Sequence, residues 1–178
     1  MIRNLLVPAA LVAALASASC GYTLTGRGSF LPETIKTIGI PDFTNRTPYF
    51  EVGQTLSQRV RTEFIGRGKY KVLPQETGVD AVLRAQINSI TLTPTAFNSS
   101  QQATRYAITV SLGIQLVQVS DDKVLWQNQN QLFREEYQLA SGGGVLDAAT
   151  FFGQASNAFD RMASDFAQSV VSAILEAF

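Results

Sequence analysis

Histidine is absent from the 178-residue chain and cysteine occurs once, at position 20. Without imidazole the sequence lacks the commonest general base, the commonest metal ligand and every Ser-His or Cys-His nucleophile arrangement. With Cys20 at the edge of an apolar leader, no Cys-His metal cluster can form. Charge of one sign is missing as well: 14 Lys and Arg face 14 Asp and Glu. No block of like charge gives the electrostatic footprint of a nucleic-acid binder. Carboxylates remain, yet they are scattered. The adjacent pairs Asp121-Asp122 and Glu135-Glu136 fall in a turn and at a strand end, where neighbours point to opposite faces. A non-enzymatic protein without a cofactor is the expectation.

What is present begins with that leader. A basic start, Met1-Ile2-Arg3-Asn4, precedes an apolar run from Leu5 to Leu15 broken only by Pro8, and small residues follow, in the layout of a secretory signal. The run is too short to span a bilayer. Cys20 follows the small residues directly, which makes it the candidate lipid anchor, carrying a diacylglycerol and an N-acyl chain. Ser17 stands where a lipoprotein signal usually has Leu, and Ala16-Ser17-Ala18 also reads as an ordinary A-x-A cleavage site. An unpaired thiol in an exported protein is an oxidisable liability that lipidation removes, and this favours the anchor. The expected organisation is a signal peptide over 1–19, a lipidated tether over 20–32 and a single α/β domain over 33–178. Gly21, in place of an acidic retention signal, fits passage to the outer membrane.

Within the domain, periodicity separates helices from strands. Residues 35–41 form a β-branched run closed by Pro41, and 42–48 carry turn chemistry. Val52, Leu56, Val60 and Phe64 recur every four residues, as in an amphipathic helix stopped by Gly66 and Gly68. A short strand over 70–73 and a longer one over 80–93, ended by Pro94, come next. In the longer strand the apolar phase slips from Leu83, Ala85 and Ile87 to Ile90 and Leu92, which predicts a bulge near Ser89. The strand over 105–119 alternates most cleanly, with Tyr106, Ile108, Val110, Leu112, Ile114 and Leu116 on one face. The last strand, 124–139, has a middle that is polar on both faces: Gln127, Asn128, Gln129, Asn130 and Gln131. Gly142-Gly143-Gly144 then leads, with Asp147 as a candidate cap, into a terminal helix striped by Ala155, Phe159, Met162, Phe166, Val170 and Ile174. The fold class is α+β: a two-layer sandwich with a mixed, mostly antiparallel four- to five-strand sheet, two helices on one face, and the order β-α-β-β-β-α.

With these elements placed, the chain resembles the LPS-assembly lipoprotein family, LptE. The likeness is carried by Cys20-Gly21-Tyr22-x-Leu24, Ile38-Gly39-Ile40-Pro41-x-Phe43-x-Asn45-Arg46-Thr47, Asp80-Ala81-x-Leu83, Tyr106, the Leu125-Trp126 pair and the Ala- and aromatic-rich last helix. It spans essentially the whole chain after the leader, and its motifs are specific in their order and spacing more than singly. What the resemblance implies is a lipid-anchored protein on the periplasmic side of the outer membrane. Such a protein lodges in a large β-barrel of the LptD type, helps it fold, and contacts lipopolysaccharide near the loop before the strand opened by Tyr106. That loop, Ala96 to Ala103, has no basic residue. A phosphorylated glycolipid calls for guanidinium or ammonium donors, so the nearest candidates are Arg105 and Arg134.

Each sharper reading has a plainer one beside it. Gln127 to Gln131 serve equally as a solvated sheet edge or as a face turned to a wet barrel lumen. Asn45-Arg46-Thr47 reads first as a turn held by local side-chain bonds, and Phe151, Phe152, Phe159 and Phe166 read first as core. Rival functions are a secretion-pore or other envelope-assembly lipoprotein, using 106–116 as a lipid-facing strand, and a periplasmic lipid carrier, which needs an enclosed apolar pocket.

Overall fold

The run from Ile35 to Ile40 is extended as its β-branched residues require, but only Thr37–Gly39 joins the sheet as β1. A computed structural model describes residues 31–67, 69–138 and 156–177. Cys20 and the leader, Gly68, Gly142-Gly143-Gly144, Asp147, Phe151, Phe152 and Ala155 lie outside those residues. After β1 come β2 (Thr44–Asn45), α1 (Glu51–Gly66), β3 (Lys71–Leu73), β4 (Ala81–Phe97), β5 (Ala103–Gln118), β6 (Val124–Gln138) and α2 (Ser156–Leu175). The order is therefore β-β-α-β-β-β-β-α. It departs from the expected β-α-β-β-β-α in two strands: the short strand read over 70–73 is present as β3 but is not counted in that order, and a turn segment too short to show alternation supplies β2.

The six-stranded sheet runs β3-β1-β4-β5-β6, with β2 set against β4. β1 lies parallel to β3 and β4, and α1 makes the crossover that a parallel pair needs. The long β4-β5-β6 meander is antiparallel. Both helices cover one sheet face, as expected. Val52, Leu56, Val60 and Phe64 of α1 are at most 1% exposed. They share one core with Phe159, Met162, Phe166 and Val170 of α2 and with Leu83, Ile87, Ile108, Leu112 and Leu116 of the sheet. Ala163 and Ala167 are buried in the same core and add little bulk to it. Arg59 pairs with Asp160 at 3.1 Å and Arg67 donates to Ser172 Oγ at 3.0 Å across the two helices.

Strand β4 does not end at Pro94. Beyond Ile87 it has β5 as its one neighbour, and an edge strand tolerates a residue without an N–H on its unpaired side, so pairing continues to Phe97. The predicted bulge is there: Ile87 faces Leu112 and Ser89 faces Ser111, which leaves Asn88 extra. A second bulge lies in the amide run. Asn128 faces Ile114 and Gln131 faces Leu112, so β6 spends one more residue than β5 opposite Gly113.

Candidate functional site

Alternation along the meander gives its second face a different chemistry from the core. Opposite the helices, the register sets Thr91 of β4 beside Thr109 of β5, and Thr109 beside Arg134 of β6. The next row is Thr93, Ala107 and Glu136, and Ser89 faces Ser111. Thr91, Thr93, Arg105, Leu132, Arg134 and Glu136 are exposed, and Leu132 is the one large apolar side chain among them. Among the described residues, hydroxyls, guanidiniums and amides are what this face exposes.

One end of this face is closed. The segment after β3 folds beneath the sheet, where Val79, Val82 and Val117 are buried together. Gly39 belongs to this closure, because a Cβ there would run into the Gln75 carbonyl oxygen and touch Val79. Glu76 and Arg84 meet at 2.8 Å on its rim, and the Arg84 hydrogen bond holds the Glu76 carboxyl below its ordinary range. Next to it lies an open hollow of about 310 Å³ with Gly113 at its floor, lined by Arg84, Gln86, Gln115 and Gln129 among others.

The candidate glycolipid residues come together. Arg105 Nη1 lies 3.7 Å and Arg134 Nη2 3.8 Å from the two carboxylate oxygens of Glu136. Glu136 carries no signal as an isolated residue. Its part becomes visible only through the two-residue step from Arg134, which returns to the same face, and the register that brings Arg105 alongside. The amide run, by contrast, is divided. Asn128 and Gln131 lie on the helix side, half-buried, and Asn128 Nδ2 donates to Gln131 Oε1 at 2.7 Å. The Asn130 N–H donates to Asn128 Oδ1 at 3.1 Å, which holds the bulge, while Gln127, Gln129 and Asn130 are exposed.

Asn45-Arg46-Thr47 is a turn built from its own side chains. Asn45 Nδ2 donates to the Tyr49 carbonyl at 2.6 Å, and Asn45 Oδ1 accepts from the Thr47 N–H and hydroxyl at 2.8 Å each. Asp80 is likewise structural: its Oδ2 accepts the N–H groups of Lys36 and Thr37 and the Thr37 hydroxyl, at 2.9, 2.8 and 2.7 Å. Those donors, the Lys36 N–H first, hold the Asp80 carboxyl below its ordinary value. Phe159 and Phe166 are core, and Phe166 meets Phe133 edge-to-face at 5.9 Å. Among the described residues no group of three or more acidic or cysteine side chains is arranged to hold a metal, and no helix is long and apolar enough to cross a membrane.

A family model described as LptE, lipopolysaccharide-assembly, matches residues 35–174. No curated protein matches the chain. Among solved structures, the PelC dodecamer of Paraburkholderia phytofirmans is similar at 14% identity and a TM-score of 0.53, covering 84% of this chain and 94% of that one. A lipoprotein from Caulobacter crescentus CB15 is similar at 10% identity and a TM-score of 0.50, covering 79% and 88%. A protein from Xanthomonas campestris is similar at 15% and 0.50, covering 86% and 94%. At these identities the likeness is one of fold.

Proposed function

The chain belongs to the LptE lipopolysaccharide-assembly family, and on that premise we propose that it is a lipid-anchored partner of a large outer-membrane β-barrel of the LptD type, helping it assemble and passing lipopolysaccharide through it. The reading has three parts: removal of 1–19, an acylated Cys20 on a tether over 20–32, and a folded domain over 33–178 held at the periplasmic side of the outer membrane. The observation that carries it is the uncovered hydroxyl- and amide-bearing face of β4, β5 and β6. An ordinary protein interface buries Leu, Phe and Tyr at its centre. A barrel lumen is wet and polar, and a partner seated in it is matched by Thr, Ser and Gln.

Two residue sets belong to this reading. Gln127, Gln129 and Asn130 are proposed to face the barrel, with Asn128 and Gln131 supporting them from the inner side of the bulge. Arg105 and Arg134 are proposed to contact the phosphorylated part of lipopolysaccharide, as guanidiniums do through charge-assisted bonds. The chemistry is binding and positioning, without a catalytic step.

The pore reading is weakened by burial. Tyr106, Ile108, Val110, Leu112, Ile114 and Leu116, the row that would face lipid, are at most 4% exposed beneath the helices. The carrier reading is weakened in the same way, since the apolar layer is filled by side chains of α1 and α2. Pull-down of the tagged full chain from detergent-solubilised outer membranes tests the proposal. It predicts recovery of one large β-barrel polypeptide, whereas a homo-oligomer alone favours the pore. Mass spectrometry of the mature N-terminus checks the anchor: acylated Cys20 is expected, and an unmodified terminus at Ser19 contradicts it.

A further inference from the structure

The Arg105-Glu136-Arg134 cluster is built in a way that two cations meant only to stabilise the fold would not need. One carboxylate stands between two guanidiniums, each oxygen facing a different arginine at 3.7 and 3.8 Å. Those separations exceed the ~2.7–2.9 Å of a charge-assisted hydrogen bond, so Glu136 attracts both arginines without saturating the donors of either. All three side chains remain about half exposed, between 47% and 60%. The trio keeps one unit of positive charge. Between them in the sheet lies a small residue: Ala107 is the strand partner of Glu136 and is 1% exposed. Thr93 and Thr109 flank Ala107 on the same face and supply hydroxyls.

We propose that Glu136 is a built-in competitor that occupies the Arg105–Arg134 cradle until a phosphoryl group, carried by a glycolipid, displaces it. This rests on the lipopolysaccharide reading above and adds the element that sets its affinity and release. The reason is charge. A phosphate monoester carries about −1.5 to −2 and three acceptor oxygens, against −1 and two for the carboxylate, so the exchange favours phosphate while keeping the bound state weak. A transit protein needs that weakness, because a ligand held by two unopposed arginines would not be passed on. When the phosphoryl group leaves, Glu136 restores the pairs.

The test uses the detergent-solubilised full chain titrated with lipopolysaccharide, with enzymatically dephosphorylated lipopolysaccharide and with inorganic pyrophosphate. Glu136→Gln is expected to bind lipopolysaccharide about two- to fivefold more tightly than wild type, the worth of removing an exposed ion-pair competitor, and the gain should shrink at high salt. Glu136→Asp, which keeps the charge on a side chain one methylene shorter, should gain less than Glu136→Gln. A gain with pyrophosphate as well supports phosphate as the recognised group. A gain confined to pyrophosphate, or an equal gain with dephosphorylated lipid, overturns the proposal. No gain in Glu136→Gln while Arg105→Ala and Arg134→Ala lose binding overturns the competitor and leaves the proposed function standing. Unchanged binding in both arginine variants overturns the two together. Melting curves identify any variant that has lost its fold, and all three positions are exposed enough to be replaced without unfolding.

Discussion

Asp80 ties the start of β1 to the start of β4 through one carboxylate oxygen that accepts from Lys36 and Thr37, while its own N–H returns to the Thr37 carbonyl at 3.1 Å. Asp80→Ala removes the acceptor and strands two N–H groups, and is expected to lower stability by about 1–2 kcal/mol in denaturant titration, the partial exposure reducing the full value of such bonds. The pH dependence has a definite sign. The folded carboxyl is held below the ordinary value of 3.8, so its contribution is complete above that value and is lost as pH falls through the lower folded one. Wild type should therefore lose an increment of stability below about pH 4 that Asp80→Asn does not show. Asp80, like Asn45, was visible in the sequence as part of a family-like segment. Its bonding was not, because the partners lie 43 and 44 positions away and only the parallel β1-β4 pairing unites them.

Helix α1 is an element whose existence and face follow from four apolar residues at four-residue steps, and all four are buried as that spacing requires. Its seat does not follow from periodicity. Gly53 is a poor helix residue, costing about 1 kcal/mol against Ala, yet a Cβ there would lie 2.6 Å from the Phe43 carbonyl oxygen. The close approach outweighs propensity, so Gly53→Ala should destabilise by about 1–3 kcal/mol although it improves the isolated helix, and thermal melting reads the sign directly. Phe64→Ala, which empties the core end of α1 beside Tyr70, should cost about 3–5 kcal/mol. The strands were legible in type and less so in extent. Pro94 suggested an end because the sequence does not reveal that β4 has become an edge strand by that point. The amide run gave no sign that Gln127 and Asn130 would be parted from Asn128 and Gln131, because a bulge shows in register and not in composition.

Among the described residues the sheet has one face spent on the core with the helices and, on the other, an exposed polar surface over β4, β5 and β6. Helices α1 and α2 and the buried row of β5 account for stability, so substitutions on the open face should separate binding from folding. Thr109→Trp, on a half-buried position of that face, is expected to shift stability far less than Phe64→Ala while reducing recovery of the barrel partner in pull-down. The two-layer architecture was readable from the alternation of β5 and the stripes of the two helices. The assembly of Arg105, Arg134 and Glu136 was not, since it depends on the register of β5 against β6. The central claim, that this face lies against the lumen of a large β-barrel, is tested most directly by placing a photoreactive residue at Thr109 and, separately, at Gln127 and irradiating intact outer membranes. The account predicts an adduct with one large β-barrel polypeptide from both positions. A ladder of adducts between copies of this chain, or no adduct from either position, would contradict it.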